Sequence, residues 1–328
     1  MHEGILYRLR SGKNIKVLYY VRAYLRECIP YFINRKIGTH IEKELAHHPD
    51  KEYILSRIDY YCRLVSPIPF PLDCQTLNDW HIPKKQKVYY FDSYEITRYF
   101  PKTYRWKILP GDIIHVPDCP CIVKSRPISP NNQNSVLLNM DKVRHFVFVN
   151  DSIPWQDKQP KAVFRGKVVG KKERMQFMRM YFGSDICDCG DVSRSPMLPK
   201  EWQKSKMPIQ DHLRYRYIMA LEGNDVASNL KWIMSSNSIA VMPPPTCETW
   251  FMEGTLRPNY HYIECRPDFS DLSERIAYYN AHPTEAEIII QHAHEYVAQF
   301  RDTNREKLIA YGTLKKYFQL TQSTLPND

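Results

Sequence analysis

Residues 220–232 read ALEGNDVASNLKW, and the way this stretch is parsed decides the fold. A hydrophobic run, Tyr217-Ile218-Met219-Ala220-Leu221, stops at Glu222-Gly223-Asn224-Asp225. The chain then restarts as a helix expected over residues 226–235, with Ser228 and Lys231 in its first turns. A strand, a polar loop and a helix start form a joint where free backbone N–H groups and the positive end of a helix dipole converge. The default ligand of such a joint is an anion. Asp225 or Ser228 could equally be an ordinary helix cap, and Lys231 an ordinary surface lysine.

The same rhythm recurs on both sides. A strand at 162–164 runs into Arg165-Gly166, followed by a helix at 173–182 with Met175, Phe177, Met178 and Tyr181 as its apolar positions. Strands are expected at 238–242, before Pro243-Pro244-Pro245, and at 260–264, with helices at 271–280, 284–303 and 305–318. Strands alternating with helices imply an α/β domain with a parallel sheet, in which ligands bind beyond the carboxyl ends of the strands. Arg165-Gly166 and Glu222–Asp225 both fall at such ends. Upstream, short apolar runs at 88–91, 113–116, 121–123 and 145–149 read as strands, and NDSIPWQDKQP (150–160) has the composition of a linker.

Composition narrows the classes. The 328 residues suffice for two ordinary domains or one large one. With 43% hydrophobic and 25% charged residues the chain can bury real cores, which excludes a disordered protein. No run reaches the ~18 apolar residues of a membrane span. Met1-His2-Glu3-Gly4 leads into a charged segment rather than a signal sequence, so the expected compartment is the cytoplasm. Nine cysteines, with Cys28, Cys62, Cys74, Cys247 and Cys265 scattered singly, argue against a disulfide framework. Cys119-Pro-Cys121 and Cys187-Asp-Cys189 have too short a spacing for the usual zinc half-site. A net charge of +10 points to anionic partners: nucleic acid, a phospholipid surface or phosphorylated small molecules. The segment KNIKVLYYVRAYLRECIPYFINRK (13–36) reads either as a basic amphipathic surface resting on an anionic membrane or as a packed helix interrupted at Pro30. Packing is the simpler of the two.

Three further stretches carry candidate chemistry. FRGKVVGKKER (164–174) puts Arg165, Lys167, Lys171, Lys172 and Arg174 beside two glycines, a composition suited to a diphosphate, though also to a solvated basic loop. It is not a Walker A loop. HVPDCPCIVKSRP (115–127) places Asp118 after a strand with Lys124, Ser125 and Arg126 following, so Asp118 is either a general base or a turn residue. ETWFMEG (248–254) brings Glu248 and Glu253 together with two aromatics, a set compatible with a ribose or a sugar. His261 reads as a structural histidine.

In order and spacing these blocks resemble glycosyltransferase family 90, which includes protein O-glucosyltransferases, fungal capsule xylosyltransferases and bacterial lipopolysaccharide core enzymes. The likeness runs over about residues 110–300: Phe164-Arg165-Gly166 is similar to the family's FRG, followed by the block ending in Gly223-Asn224, Leu230-Lys231, Ser238-Ile239-Ala240-Val241 and LRPNYHYIE (256–264). VKSRPI (123–128) and EGNDVASNLKW (222–232) look closest to the bacterial lipopolysaccharide branch. The resemblance implies a GT-B fold, two Rossmann-like domains facing across a cleft. Residues 1–155 would form the acceptor-side domain, 156–300 the UDP-sugar-binding domain, and 301–328 terminal helices crossing back to the first.

It further implies inverting transfer of a hexose from UDP-glucose or UDP-galactose to a lipopolysaccharide or lipooligosaccharide core sugar. No obligatory metal or cofactor is implied, and contact with an anionic membrane at the inner face of the bacterial inner membrane is compatible with it. On this reading Asp118 is the base and Lys124 and Arg126 contact acceptor or phosphate. Arg165, Gly166, Arg174, Gly223, Asn224, Asp225, Ser228, Asn229, Lys231, Glu248 and Glu253 surround the donor. Asn229 departs from the pattern, since many members carry arginine there; the diphosphate grip then falls to Arg165, Arg174 and Lys231. The competing readings are transfer to a capsule glycan or protein serine, a glycan binder without turnover, and a basic nucleic-acid-binding protein. The last lacks RNP-type and zinc-finger signatures.

Overall fold

The computed structural model describes residues 15–322; what the sequence implies for Met1–Gly4 and for the two chain ends lies outside the described residues. In chain order the strands are β1 (Ile108–Leu109), β2 (Cys121–Val123), β3 (Ser125–Pro127), β4 (Ser135–Leu137), β5 (Gln159–Gly166), β6 (Cys187–Asp191), β7 (Tyr215–Met219), β8 (Ile239–Met242), β9 (Cys247–Thr249) and β10 (Ile263–Glu264). The helices longer than one turn are α1 (Lys16–Glu27), α2 (Tyr31–His47), α3 (Lys51–Tyr61), α4 (Lys87–Thr97), α5 (Lys172–Tyr181), α6 (Leu230–Met234), α7 (Leu272–Ala281), α8 (Pro283–Ala298) and α9 (Thr303–Thr321). The described residues fall into two compact units, one made of 15–143, 246–253 and 300–322, the other of 144–245 and 254–299.

The first unit holds a parallel sheet in the order β1-β2-β4 and a separate antiparallel pair, β3 with β9. Helix α9 starts at Asp302, whose side chain caps the N–H groups of Asn304 and Arg305, and runs buried against α2, α3 and α4. Gly312 lets α9 approach α3 closely: a Cβ there would sit 2.2 Å from Ile58 Cδ1. Pro30 separates α1 from α2, as its missing N–H and fixed φ require.

The second unit is built on five parallel strands in the order β6-β5-β7-β8-β10. The expected parallel α/β sheet is therefore present. Its core runs from Ala162, Phe164 and Tyr217 through Ile239 and Val241 to Leu272 and Ile276 on α7 and Ile289 on α8, all buried. In sequence terms the order is 2-1-3-4-5, the doubly wound arrangement whose direction reverses between its first and third strands, here β5 and β7.

Several local expectations are corrected. Residues 88–91 lie in α4, not in a strand: buried Tyr89, Ser93, Ile96 and Thr97 form a helical stripe that extends past the short apolar run, and Tyr90, Phe91 and Asp92 are buried beside it. Residues 113–116 form no strand, because the Ile113 backbone N–H and carbonyl both bond to Ser125 Oγ at 3.1 Å instead of to a neighbouring strand. Residues 145–149 are not a strand either; His145 ends a single helical turn, and Val149 N–H donates to Ser235 Oγ. The helix expected over 226–235 shrinks to α6, five residues from Leu230. Asn229 is the physical reason, since its side-chain amide turns back to the Met219 carbonyl at 3.0 Å.

Candidate active site

The carboxyl ends of β5 and β7 meet at the reversal point of the five-stranded sheet, where doubly wound folds bind ligands. Arg165-Gly166 ends β5, and Glu222-Gly223-Asn224 follows β7. The helix that begins beside this point is α5, ten residues long, not the short α6, so the helix dipole the sequence places after residue 225 belongs instead to the first loop.

Arg174, in the first turn of α5, ties the two strand ends together. Its Nη2 donates to the Leu221 carbonyl at 2.7 Å, Nε to that of Glu222 at 2.9 Å, and Nη1 to that of Lys167 at 3.0 Å. Carbonyl dipoles orient a guanidinium without cancelling its charge, and burial lowers the Arg174 pKa from the usual arginine value. Gly166 makes room for this clasp: a Cβ would stand 2.7 Å from the Phe164 ring and 3.3 Å from Arg174 Nη1. Lys171 adds a second link across the same two loops through Asn224 Oδ1. Two strand ends joined by fixed cations, with a helix start beside them, can hold a diphosphate.

Arg165 is placed differently. Its Nη2 pairs with Asp188 Oδ2 at 2.7 Å and its Nη1 bonds the Asp188 and Phe164 carbonyls at 2.7 and 2.9 Å, with the side chain nearly buried. Asp188 also accepts from Lys204 Nζ at 2.7 Å and from the Tyr215 hydroxyl at 2.9 Å. Burial alone would raise the Asp188 pKa, but the bonds from Arg165, Lys204 and Tyr215 outweigh it and hold the carboxyl at about 2, while burial and Asp188 push Tyr215 up to about 12. Because the folded pKa of Asp188 lies below the unfolded value, this pairing contributes its full stability above about pH 4 and loses it as pH falls toward 2. With Asp188 26% exposed, the loss, discounted for solvent screening, is about 1–2 kcal/mol. Urea unfolding at stepped pH should show that acid-side loss in the natural chain, and Asp188→Asn should flatten it. Asp188 is absent from the residues singled out by sequence, although a carboxylate between two strand cysteines was the available signal.

The remaining residues of the opening stretch are distributed unevenly. Asn224 and Ser228 are exposed, Gly223 half-buried, and Asp225 and Lys231 buried within the fold. Lys231, in α6, is fully buried.

The other candidates lie in the first unit. Arg126, fully buried, donates through Nε to Glu248 Oε1 at 2.8 Å across the β3/β9 pair, and its remaining N–H groups hold the carbonyls of Tyr60, Tyr61 and Ser135. Glu248 also accepts from the Tyr60 hydroxyl and lies 3.7 Å from Arg63. Glu253 accepts from the Thr249 N–H at 2.6 Å and from its hydroxyl, closing a turn. Lys124, buried, pairs with Asp112. Asp118 sits exposed in the loop before β2. All cysteines among the described residues are free thiols, and no described group of three or more His, Cys, Asp or Glu side chains is arranged to hold a metal ion. No described helix is long and apolar enough to cross a membrane.

Comparison with known proteins agrees with the resemblance. The model for Glycosyl transferase family 90 matches residues 135–324, a span that begins after Asp118, Lys124 and Arg126. O-glucosyltransferase LpsA of Dichelobacter nodosus is 38% identical over 94% of this chain and 96% of its own length. Protein O-glucosyltransferase 3 of Homo sapiens is 24% identical over 54% of this chain, covering 35% of that longer protein. Uncharacterized protein 027R of Frog virus 3 is 28% identical over 42% of this chain.

Proposed function

Since the chain belongs to glycosyl transferase family 90, we propose that it transfers a hexose from a UDP-sugar, UDP-glucose or UDP-galactose, to a hydroxyl of a lipopolysaccharide or lipooligosaccharide core sugar, with inversion. The chain is a glycosyltransferase, and donor, acceptor and stereochemistry are the parts proposed. The observation that carries the donor side is the Arg174 clasp at the reversal point between β5 and β7. The near full-length likeness to a bacterial O-glucosyltransferase favours glucose and a bacterial acceptor over a protein serine.

In this proposal the acceptor oxygen attacks the anomeric carbon as the bond to the diphosphate oxygen breaks. The acceptor proton passes to a carboxylate, for which Asp118 is the proposed base. Negative charge grows on the departing UDP, and Arg174, Lys171 and the N–H groups at the start of α5 are fixed where they can offset it. No metal is required to neutralise the leaving group.

Thermal unfolding with UDP, UDP-glucose and UDP-galactose, and with ADP and GDP as controls, tests the donor assignment. A ligand at 100 times its Kd that binds only the folded chain adds about 2.7 kcal/mol. Uridine nucleotides alone should produce it. Equal stabilisation by all nucleotides, or by none, overturns the reading.

A further inference from the structure

Helix α1 has one packed side and one bare side. On the packed side Ala23 is buried against Tyr90 and Phe91 of α4, with Tyr19 and Tyr20 beside them. The Tyr19 hydroxyl donates to Asp92 at 2.9 Å. That is enough to anchor the helix, so the packed-helix reading of residues 16–27 holds. It accounts for only half of the surface.

A helix that packs on one side should turn polar residues outward. Here the outward residues are apolar. At about 100° per residue, Tyr24, Val17, Val21, Leu25 and Leu18 succeed one another around the outer half of α1. Val17 is 72% and Leu25 63% exposed, and Phe32 at the start of α2 is 62% exposed between exposed Tyr31 and Ile33.

Cations edge this surface. Arg22 and Lys36 are exposed on α1 and α2. Lys87 reaches the Tyr24 hydroxyl at 3.4 Å, and the Lys102 ammonium stands 5.3 Å from the centre of the Tyr31 ring. The one acid of α1, Glu27, is half-buried on the inner side, where burial raises its pKa and Tyr90 bonds it.

We infer that the outer face of α1, continued by Tyr31-Phe32-Ile33, docks the protein on an anionic phospholipid bilayer. The aliphatic side chains sink below the headgroups, Tyr24 and Tyr31 lie at the interface with apolar rings and polar tips, and the cations meet lipid phosphates. Charge decides between occupants: a second copy of the chain would bring the same cations face to face, whereas an anionic lipid surface complements them all. The inference stands apart from the donor assignment, because binding to lipid needs no sugar nucleotide.

The test uses the full chain and sedimentation with vesicles of phosphatidylcholine alone or mixed with phosphatidylglycerol. Binding should require the anionic lipid and fall as salt rises. Val21→Glu/Leu25→Glu should weaken it at least tenfold, and Arg22→Glu/Lys36→Glu should remove the preference for anionic lipid. Equal thermal midpoints and helical content establish that the variants are folded. As a second readout, Leu25→Trp should shift its emission to the blue only with anionic vesicles. Three results overturn the proposal: no binding, binding that ignores lipid charge, or binding that the Val21/Leu25 variant retains. Self-association of the natural chain that this variant abolishes, without vesicle binding, reassigns the face to a second copy.

Discussion

Alanine in place of Arg174 is expected to erase the stabilisation by UDP and to lower turnover by about 10²–10³-fold, the range for removing one fixed electrostatic group from a developing anion. The guanidinium holds three carbonyls on two separate strand ends, so its loss acts twice. The positive charge disappears, and the β7 loop is released from α5. Stability should fall as well, by about 2–4 kcal/mol, since hydrogen bonds from a charged donor contribute about 1.5–3 kcal/mol each and water replaces part of that. Arg174→Lys separates the two roles, because an ammonium keeps the charge but cannot span three acceptors in one plane. If lysine restores folding but not the UDP response, geometry at the clasp matters most. A UDP response preserved in both variants would place the diphosphate elsewhere.

Replacing Glu248 by alanine should be the most damaging single change to stability, about 3–5 kcal/mol, because it strands the Arg126 guanidinium in the interior. Arg126 and Glu248 are both essentially unexposed, and Glu248 is the one carboxylate in the hydrogen bonds of Arg126. Chemical denaturation of Glu248→Ala and Arg126→Ala measures it, and the double replacement should cost less than the sum of the single ones. Kinetics complete the comparison. A donor contact would raise KM for the sugar nucleotide in the milder Glu248→Gln, whereas a framework ion pair lowers the unfolding midpoint and leaves KM of the remaining folded enzyme alone. The burial, the Arg126 pairing and the Tyr60 bond favour the second outcome. Thermal midpoint and KM read on the same preparation distinguish them.

What the sequence by itself determined is the part carried by local pattern. Apolar runs broken by polar strand ends located β5, β7 and β8, alternation with helices set them parallel, and the FRG and EGND blocks pointed to the pair of loops that meet at the reversal of strand order. Those signals are short-range, so they survive in one dimension. What only the tertiary structure decided is the partner of each charge. Arg165 and Arg174 look alike in one basic run, yet one is paired with a carboxylate from β6 and the other bonded to carbonyls from the end of β7. Lys231 looks like a surface cation and is buried, and Glu248 is paired with Arg126, 122 positions away in the chain. Burial and pairing depend on residues distant in sequence, and burying an unpaired charge costs far more than exposing it. The fold therefore chooses which cation is matched inside and which stays fixed at the strand ends, and no local pattern records that choice.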